Sequence, residues 1–257
     1  MKLFARLLVL LAALGAAPAW AAPLAAYGKL PSIERAAISP SGHAVAVIVT
    51  NGEKRHIVVK DLGDNSTKLN GFVGDHKVRS VQWAGDRHLI VVISATQNAF
   101  HIQNGRREWM FGTIIDLETK KIRALIKPTD SSMGAIFDMP IVRVINGEPA
   151  IYAQGVVFQG GRGRLSLFRV DLDSGKSRAI EIGAEETVDW VVDGEGRPLA
   201  QELRNRESGA WSVKLRSGSS WREAISLKRG QAAPYLLGLG RDGASVIYAA
   251  TDNDRDW

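Results

Sequence analysis

A serine nucleophile, a metal centre and a carboxylate clamp are the three kinds of chemistry that this chain's polar residues bring to mind, and each can be tested against spacing. Acyl transfer by serine needs the nucleophile elbow G-x-S-x-G, then an acid and a histidine further along the chain. Gly218-Ser219-Ser220-Trp221-Arg222 comes nearest, but lacks the final glycine and reads as a turn. The last histidine is His101, so nothing after these serines could serve as their base. The histidines at 43, 56, 76, 88 and 101 form no H-x-x-x-H pair and read as scattered surface or strand-end residues. Asp252-Asn253-Asp254-Arg255-Asp256 alternates carboxylates like the first half of a calcium loop, yet its sixth position is Trp257 where glycine is needed. Asp171-Leu172-Asp173-Ser174-Gly175 has its glycine one place early. Glu185-Glu186 could pair with an ammonium group or be a solvated turn. Gly160-Gly161-Arg162-Gly163-Arg164 lacks the Lys-Ser/Thr of a P-loop and the third glycine of a dinucleotide fingerprint. The expectation is therefore no catalytic residue, no cofactor and no metal.

One stretch favours binding. Residues 97–110 carry Phe100, His101, Arg106, Arg107 and Trp109 in an insertion between strands. Aromatic and arginine side chains together are typical of contact surfaces, and insertions project where contacts are made. The alternative is a loop that packs on the neighbouring unit.

What must position these residues is a repeat. The pattern of short apolar strand, tight turn and more hydrophobic strand recurs five times, with turns at Ser39-Pro40-Ser41-Gly42, Ala84-Gly85-Asp86, Asn146-Gly147-Glu148, Asp193-Gly194-Glu195-Gly196 and Arg241-Asp242-Gly243. Counted from Gly42, Gly85, Gly147, Gly194 and Gly243, the intervals are 43, 62, 47 and 49 residues. Three of them match a four-stranded propeller blade. Insertions at 96–108 and 128–138 account for the long one. A second landmark is a strand ending in Asp-Leu at Asp61, Asp116 and Asp171, spaced 55 and 55. Such an Asp accepts from backbone N–H groups just downstream and closes the hairpin, so these are expected to be turn formers. Asn51-Gly52 is the turn signal between strands two and three of the first unit. Runs such as 45–49 and 89–93 are continuously apolar, which suits strands buried on both faces. A β-sandwich would also use short strands, but would not repeat one turn at this interval. The expected fold is all-β, a propeller of about four blades plus the start of a fifth, with the ring incomplete.

The N-terminus adds an address. Lys2 and Arg6, an apolar run over 7–17 and Ala19-Trp20-Ala21 make a secretory signal peptide over 1–21, cleaved before Ala22. The apolar run is about half of what a spanning helix needs. A periplasmic or secreted protein over 22–257 is expected, with no membrane after cleavage and no nucleic acid as partner. The mature part carries 31 basic against 27 acidic residues, a mild excess that bears on solubility. There is no cysteine among the 257 residues, which excludes disulfides, thiolate metal sites and a cysteine nucleophile.

Ser32-Ile-Glu-Arg-Ala-Ala-Ile-Ser-Pro-Ser-Gly42, Val78-Arg-Ser-Val-Gln-Trp-Ala-Gly85 and residues 239–252 resemble the N-terminal propeller of secreted bacterial prolyl oligopeptidase-family enzymes. The dipeptidyl aminopeptidase and acylaminoacyl peptidase type is most similar, and the likeness runs from Pro31 to Trp257. TolB-like and WD-repeat propellers share the Ser-Pro-Ser-Gly turn. The resemblance implies a propeller that gates peptide substrates for a C-terminal α/β-hydrolase domain bearing a Ser, Asp, His triad, which this sequence does not contain. It also implies a ring of seven or eight blades, so the chain reads as the N-terminal piece of a longer protein. In dipeptidyl aminopeptidases the glutamate pair follows an Asp-Trp element, whereas Asp189-Trp190 comes after Glu185-Glu186 here, so that role is not carried over. The alternative function is a stand-alone periplasmic TolB-like propeller that binds a protein partner.

Overall fold

The computed structural model describes residues 24–98, 106–227 and 234–250. After one helical turn, α1 (Leu24–Tyr27), the described residues are all-β. The first sheet is β1 (Ile33–Ile38), β2 (Ala44–Asn51), β3 (Lys54–Asp61) and β4 (Thr67–Gly74). The second is β5 (Lys77–Ala84), β6 (His88–Gln97), β7 (Arg107–Asp116) and β8 (Ile122–Ala124). The third is β9 (Ile141–Ile145), β10 (Glu148–Gln159), β11 (Arg162–Val170) and β12 (Ser177–Ile182). The fourth is β13 (Thr187–Val192), β14 (Pro198–Arg204), β15 (Trp211–Ser217) and β16 (Ser220–Leu227). A fifth, two-stranded sheet is β17 (Tyr235–Leu239) and β18 (Val246–Ala249). Every sheet is antiparallel with its strands in chain order, which is the build of propeller blades. The fold is a β-propeller of four blades and the start of a fifth.

The apolar runs have a direct explanation in the pleat. Successive strand residues point to opposite faces, so a run without polar alternation serves two cores. In β6, Leu89 and Val91 join Ala46, Ile48 and Val59 of the first blade. Ile90 and Val92, interleaved with them, join Ile151, Ala153 and Phe168 of the third. The third blade repeats the device, sending Ala150, Tyr152 and Leu167 to Trp190 and Val192 of the fourth. Val191, Trp211 and Val213 then meet Leu236 of the fifth. Four cores thus lie between consecutive blades. Polar stitches reinforce them: the Trp83 indole donates to Ala37 O (2.9 Å), Trp190 donates to Leu165 O (3.2 Å), and Asp86 Oδ1 accepts from Ser41 N (3.0 Å).

Two turns differ in detail from the sequence reading. The β2–β3 ladder closes at Asn51↔Lys54, so Gly52 (φ 63°) and Glu53 form the loop, one residue beyond the Asn51-Gly52 signal. In the fourth blade's turn the left-handed residue is Gly196 (φ 80°), whereas Gly194 donates to Gly243 O of the next blade's turn (2.9 Å). The sequence reading marked 128–138, after β8, only as an insertion. It crosses between blades two and three, with Ile136 N donating to Met110 O (2.9 Å) and Met133 N to Val156 O (3.0 Å). Met133, Ala135 and Ile136 are buried there, and Ile136 joins the shared core.

Candidate functional site

The insertion flagged in the sequence sits at the end of blade two where β6 passes to β7. The hairpin ladder continues to Gln97↔Arg107, so Arg106, Arg107 and Trp109 stand on or beside its extended tip. Arg106 Nη2 donates to Thr96 O (3.0 Å), and Arg107 is exposed. The Trp109 indole donates to Gln97 O (3.2 Å), and its ring meets Phe137 edge-on, with centroids 6.2 Å apart. Phe137 belongs to the crossing insertion and is exposed, so two residues 28 apart in sequence make one aromatic pair. Phe100 and His101 lie outside the described residues. Beneath the tip, Glu108 Oε1 accepts from Arg79 Nη2 (2.5 Å) and Ser94 Oγ (2.9 Å), and these bonds hold its carboxyl below the usual range. The tip is an aromatic and guanidinium surface on a braced hairpin. Its described side chains can stack and donate hydrogen bonds.

The opposite end of blades two and three carries a cleft of about 1360 Å³ lined by turn residues, among them Arg87, His88, Pro149, Asp171 and Asp173. Behind the lining residues Arg87 and His88 lies the buried carboxylate of Asp116, which accepts from Arg87 Nε (3.1 Å) and Nη2 (2.7 Å), from Thr119 Oγ1 (2.7 Å), and from the backbone N–H of Glu118 and Thr119. The Arg87 guanidinium, with these further donors, holds Asp116 far below the ordinary carboxylate range. Such a group stays ionised and is no proton carrier near neutral pH. Asp61 and Asp171 cap their turns in the same manner, accepting from Gly63 N (2.8 Å) and Ser174 N (2.7 Å). Asn205 takes over the role in blade four, accepting from Ser208 N (2.8 Å).

Of the histidines read as surface or strand-end residues, His88 is a strand-end one, the first residue of β6. It is buried beside Asp116, 4.0 Å from Nε2 to Oδ2, and desolvation lowers its pKa, favouring the neutral imidazole. Ser219 and Ser220 belong to the β15–β16 hairpin, where Ser220 Oγ donates to Ser217 O (3.0 Å). Glu185 and Glu186 are separated in role. The first pairs with Arg162 (2.8 Å) and the second accepts from Asn205 Nδ2 (3.1 Å). In the 160–164 stretch, Gly160 and Gly161 make the β10–β11 turn, which closes at Gln159↔Arg162, and residues 162–164 begin β11. The Asp252–Asp256 stretch lies outside the described residues. Among the described residues no cluster of three or more His, Cys, Asp or Glu could hold a metal ion, and no helix is long and apolar enough to cross a membrane.

One carboxylate behaves differently. Asp189 on β13 accepts from Gln154 Nε2 across the blade interface (2.5 Å) and from Trp190 N (2.6 Å), yet burial dominates and raises its pKa. An acid whose folded pKa is raised contributes stability below its unfolded pKa and loses it as pH rises through the folded value. Asp189→Asn keeps an acceptor and removes the ionisation. Thermal melts should show the variant more stable than the parent at about pH 7, with the gap closing as pH falls toward about 4. A gap that widens on acidification would contradict this placement.

No family model and no curated protein matches the sequence. Among solved structures, TolB from Acinetobacter baumannii overlaps 87% of this chain and 50% of its own, at 15% identity and a TM-score of 0.44. Hydrazine synthase from Kuenenia stuttgartiensis overlaps 84% of this chain and 70% of its own, at 12% identity and a TM-score of 0.41. The acylaminoacyl peptidase of Pyrococcus horikoshii overlaps 85% of this chain and 42% of its own, at 15% identity and a TM-score of 0.39. The chain therefore spans half the length of that TolB and less than half of that peptidase. At such identities and scores, these likenesses select neither a family nor an activity.

Proposed function

We propose that this chain is the non-catalytic, substrate-gating propeller portion of an exported prolyl oligopeptidase-family serine peptidase, with its mature part starting at Ala22. The supporting observation is where the resembling stretches fall. Residues 32–42 build β1 and its turn, residues 78–85 build most of β5 and its turn, and the 239–252 stretch starts at the end of β17 and takes in the turn to β18. The likeness thus falls on the first turn of a blade in three blades, together with the strand before it in blades one and two and the strand after it in blade five. In this reading the hairpin tip with Arg106, Arg107 and Trp109 is the surface that meets peptide substrate or the hydrolase domain, and the rest of the same insertion, with Phe100 and His101, belongs to it. The carboxylates of Asp61, Asp116 and Asp171 close turns, which suits a part that shapes access and leaves the chemistry to a partner domain.

A serine-reactive fluorophosphonate probe tests this on two samples, the natural full-length gene product and the 257-residue chain. Labelling is expected on the former, at a serine in a G-x-S-x-G element, and none on the latter. Labelling of the chain itself, or none on the full-length product, would overturn the proposal. The second outcome would favour a TolB-like propeller that binds a protein partner.

A further inference from the structure

We propose that the cleft between the turns of blades two and three binds an acidic peptide segment of a partner protein through Arg169 and Arg178, assisted by Lys127 and Lys176. The β11–β12 register sets Arg169 directly opposite Arg178, and both line the cleft of about 1360 Å³. Two like charges facing each other across a ladder destabilise it. Among the described residues no carboxylate reaches ion-pair distance of either guanidinium, and the same holds for the Lys127 and Lys176 ammonium groups in the same walls. The acids of the cleft are committed elsewhere. Asp171, whose ionised form Lys176 and Arg169 favour, caps its own turn by accepting from Ser174 N (2.7 Å). Asp173 faces Arg87 (3.5 Å), whose other nitrogens are held by Asp116. Asp86 accepts from Ser41 N of blade one (3.0 Å). Four uncommitted cations thus stand against one uncommitted carboxylate, Glu148, among the lining residues. A carboxylate seated between Arg169 and Arg178 would replace their repulsion with charge-assisted hydrogen bonds.

The class of the occupant follows from size and charge pattern. Small-molecule pockets hold about 300–1,000 Å³, and this cleft is larger, so an isolated anion would fill little of it. Nucleic acid carries a phosphate at every step, and Asp86, Glu148 and Asp173 in the same walls oppose such unbroken charge. A peptide can space its carboxylates between neutral residues, for which Pro149 supplies an apolar contact. Blades two and three each have a neighbouring blade on both sides. The cleft lies at the end of these blades opposite the hairpin tip, and the inference does not rest on the peptidase reading.

Fluorescence anisotropy on the natural full-length product tests this with a labelled ten-residue peptide, capped at both ends, in which glutamate alternates with serine and glycine. A Kd of about 10–100 µM is expected at low salt, weakening as ionic strength rises. Arg169→Gln and Arg178→Gln should each weaken binding by about tenfold, the loss of a hydrogen bond to a charged group. Both positions are exposed, and neither variant should melt earlier than the parent, because removing one charge relieves the repulsion. If one of them melts early, Lys176→Gln, just before β12, takes its place. Arg222→Gln, an exposed arginine on blade four outside the cleft, should bind like the parent. No binding up to ~1 mM peptide would overturn the proposal, as would binding that the cleft variants retain in full. Equal affinity for a single-stranded DNA of the same charge would also overturn it, marking a general polyanion site. So would displacement of the peptide by inorganic phosphate at ~1 mM, which would mark a small-anion site.

Discussion

Gly196→Ala is expected to lower the unfolding free energy by about 2–5 kcal/mol, the combined cost of a strained backbone and an overpacked interface. Gly196 closes the turn of the fourth blade with φ at 80°, a left-handed conformation that side chains resist. A β-carbon there would overlap Tyr152 Oη and Ile145 Cδ1. Neither can step aside cheaply. Tyr152 is buried in the core shared by blades three and four. Arg143, on the strand that carries Ile145, is held by the carbonyls of Val192 (2.9 Å) and Asp193 (3.0 Å). The turn is fixed as well, because Asp193 Oδ1 accepts from Glu195 N (2.9 Å) and Arg197 N (2.7 Å). Gly218→Ala is the control. It shares a left-handed φ of 60°, but nothing lies within 4 Å of its β-carbon, so it bears the backbone cost alone, about 1 kcal/mol. Removing the Tyr152 hydroxyl in the double variant Gly196→Ala with Tyr152→Phe should restore part of the loss, since residues in contact do not act additively. Urea denaturation at unchanged m-value reads all three. Equal losses at positions 196 and 218 would contradict the close approach of turn and blade.

The parts of this molecule legible in the sequence are those fixed by local rules. The Asp-Leu strand ends could be read because Asp61, Asp116 and Asp171 each bond to backbone within three residues. Blade order followed from recurring turns, and double-sided burial from the unbroken run at 89–93. What escaped depended on neighbours far along the chain. His88 is buried because the Asp-Leu turn of β7 folds against the start of β6, where His88 pairs with Asp116 in the ladder, and no spacing between histidines carries that. The stretch at 128–138 was legible only as an insertion that lengthens one repeat interval. Its burial comes from gaps between the extended hairpins of blades two and three, which accept Met133, Ala135 and Ile136. The candidate surface was half legible. Arg106, Arg107 and Trp109 stood out by type, but Phe137 joins Trp109 from the other insertion, and only the fact that both lengthen the same repeat interval hinted that they meet.

Blade-on-blade packing is the claim on which the rest stands, and alanine substitutions along β6 test it most directly. Leu89, Ile90, Val91 and Val92 are all buried, the odd pair against blade one and the even pair against blade three. Leu89→Ala and Ile90→Ala should therefore each cost about 2–5 kcal/mol in urea unfolding, and Val91→Ala and Val92→Ala each at least about 1 kcal/mol. In β2, where one face meets no other blade among the described residues, Ile48→Ala should be costly and Val47→Ala much less so. Four consecutive large losses in β6 are the predicted result. Losses that alternate between large and small along residues 89–92 would mean a sheet packed on one face only, and would contradict the propeller.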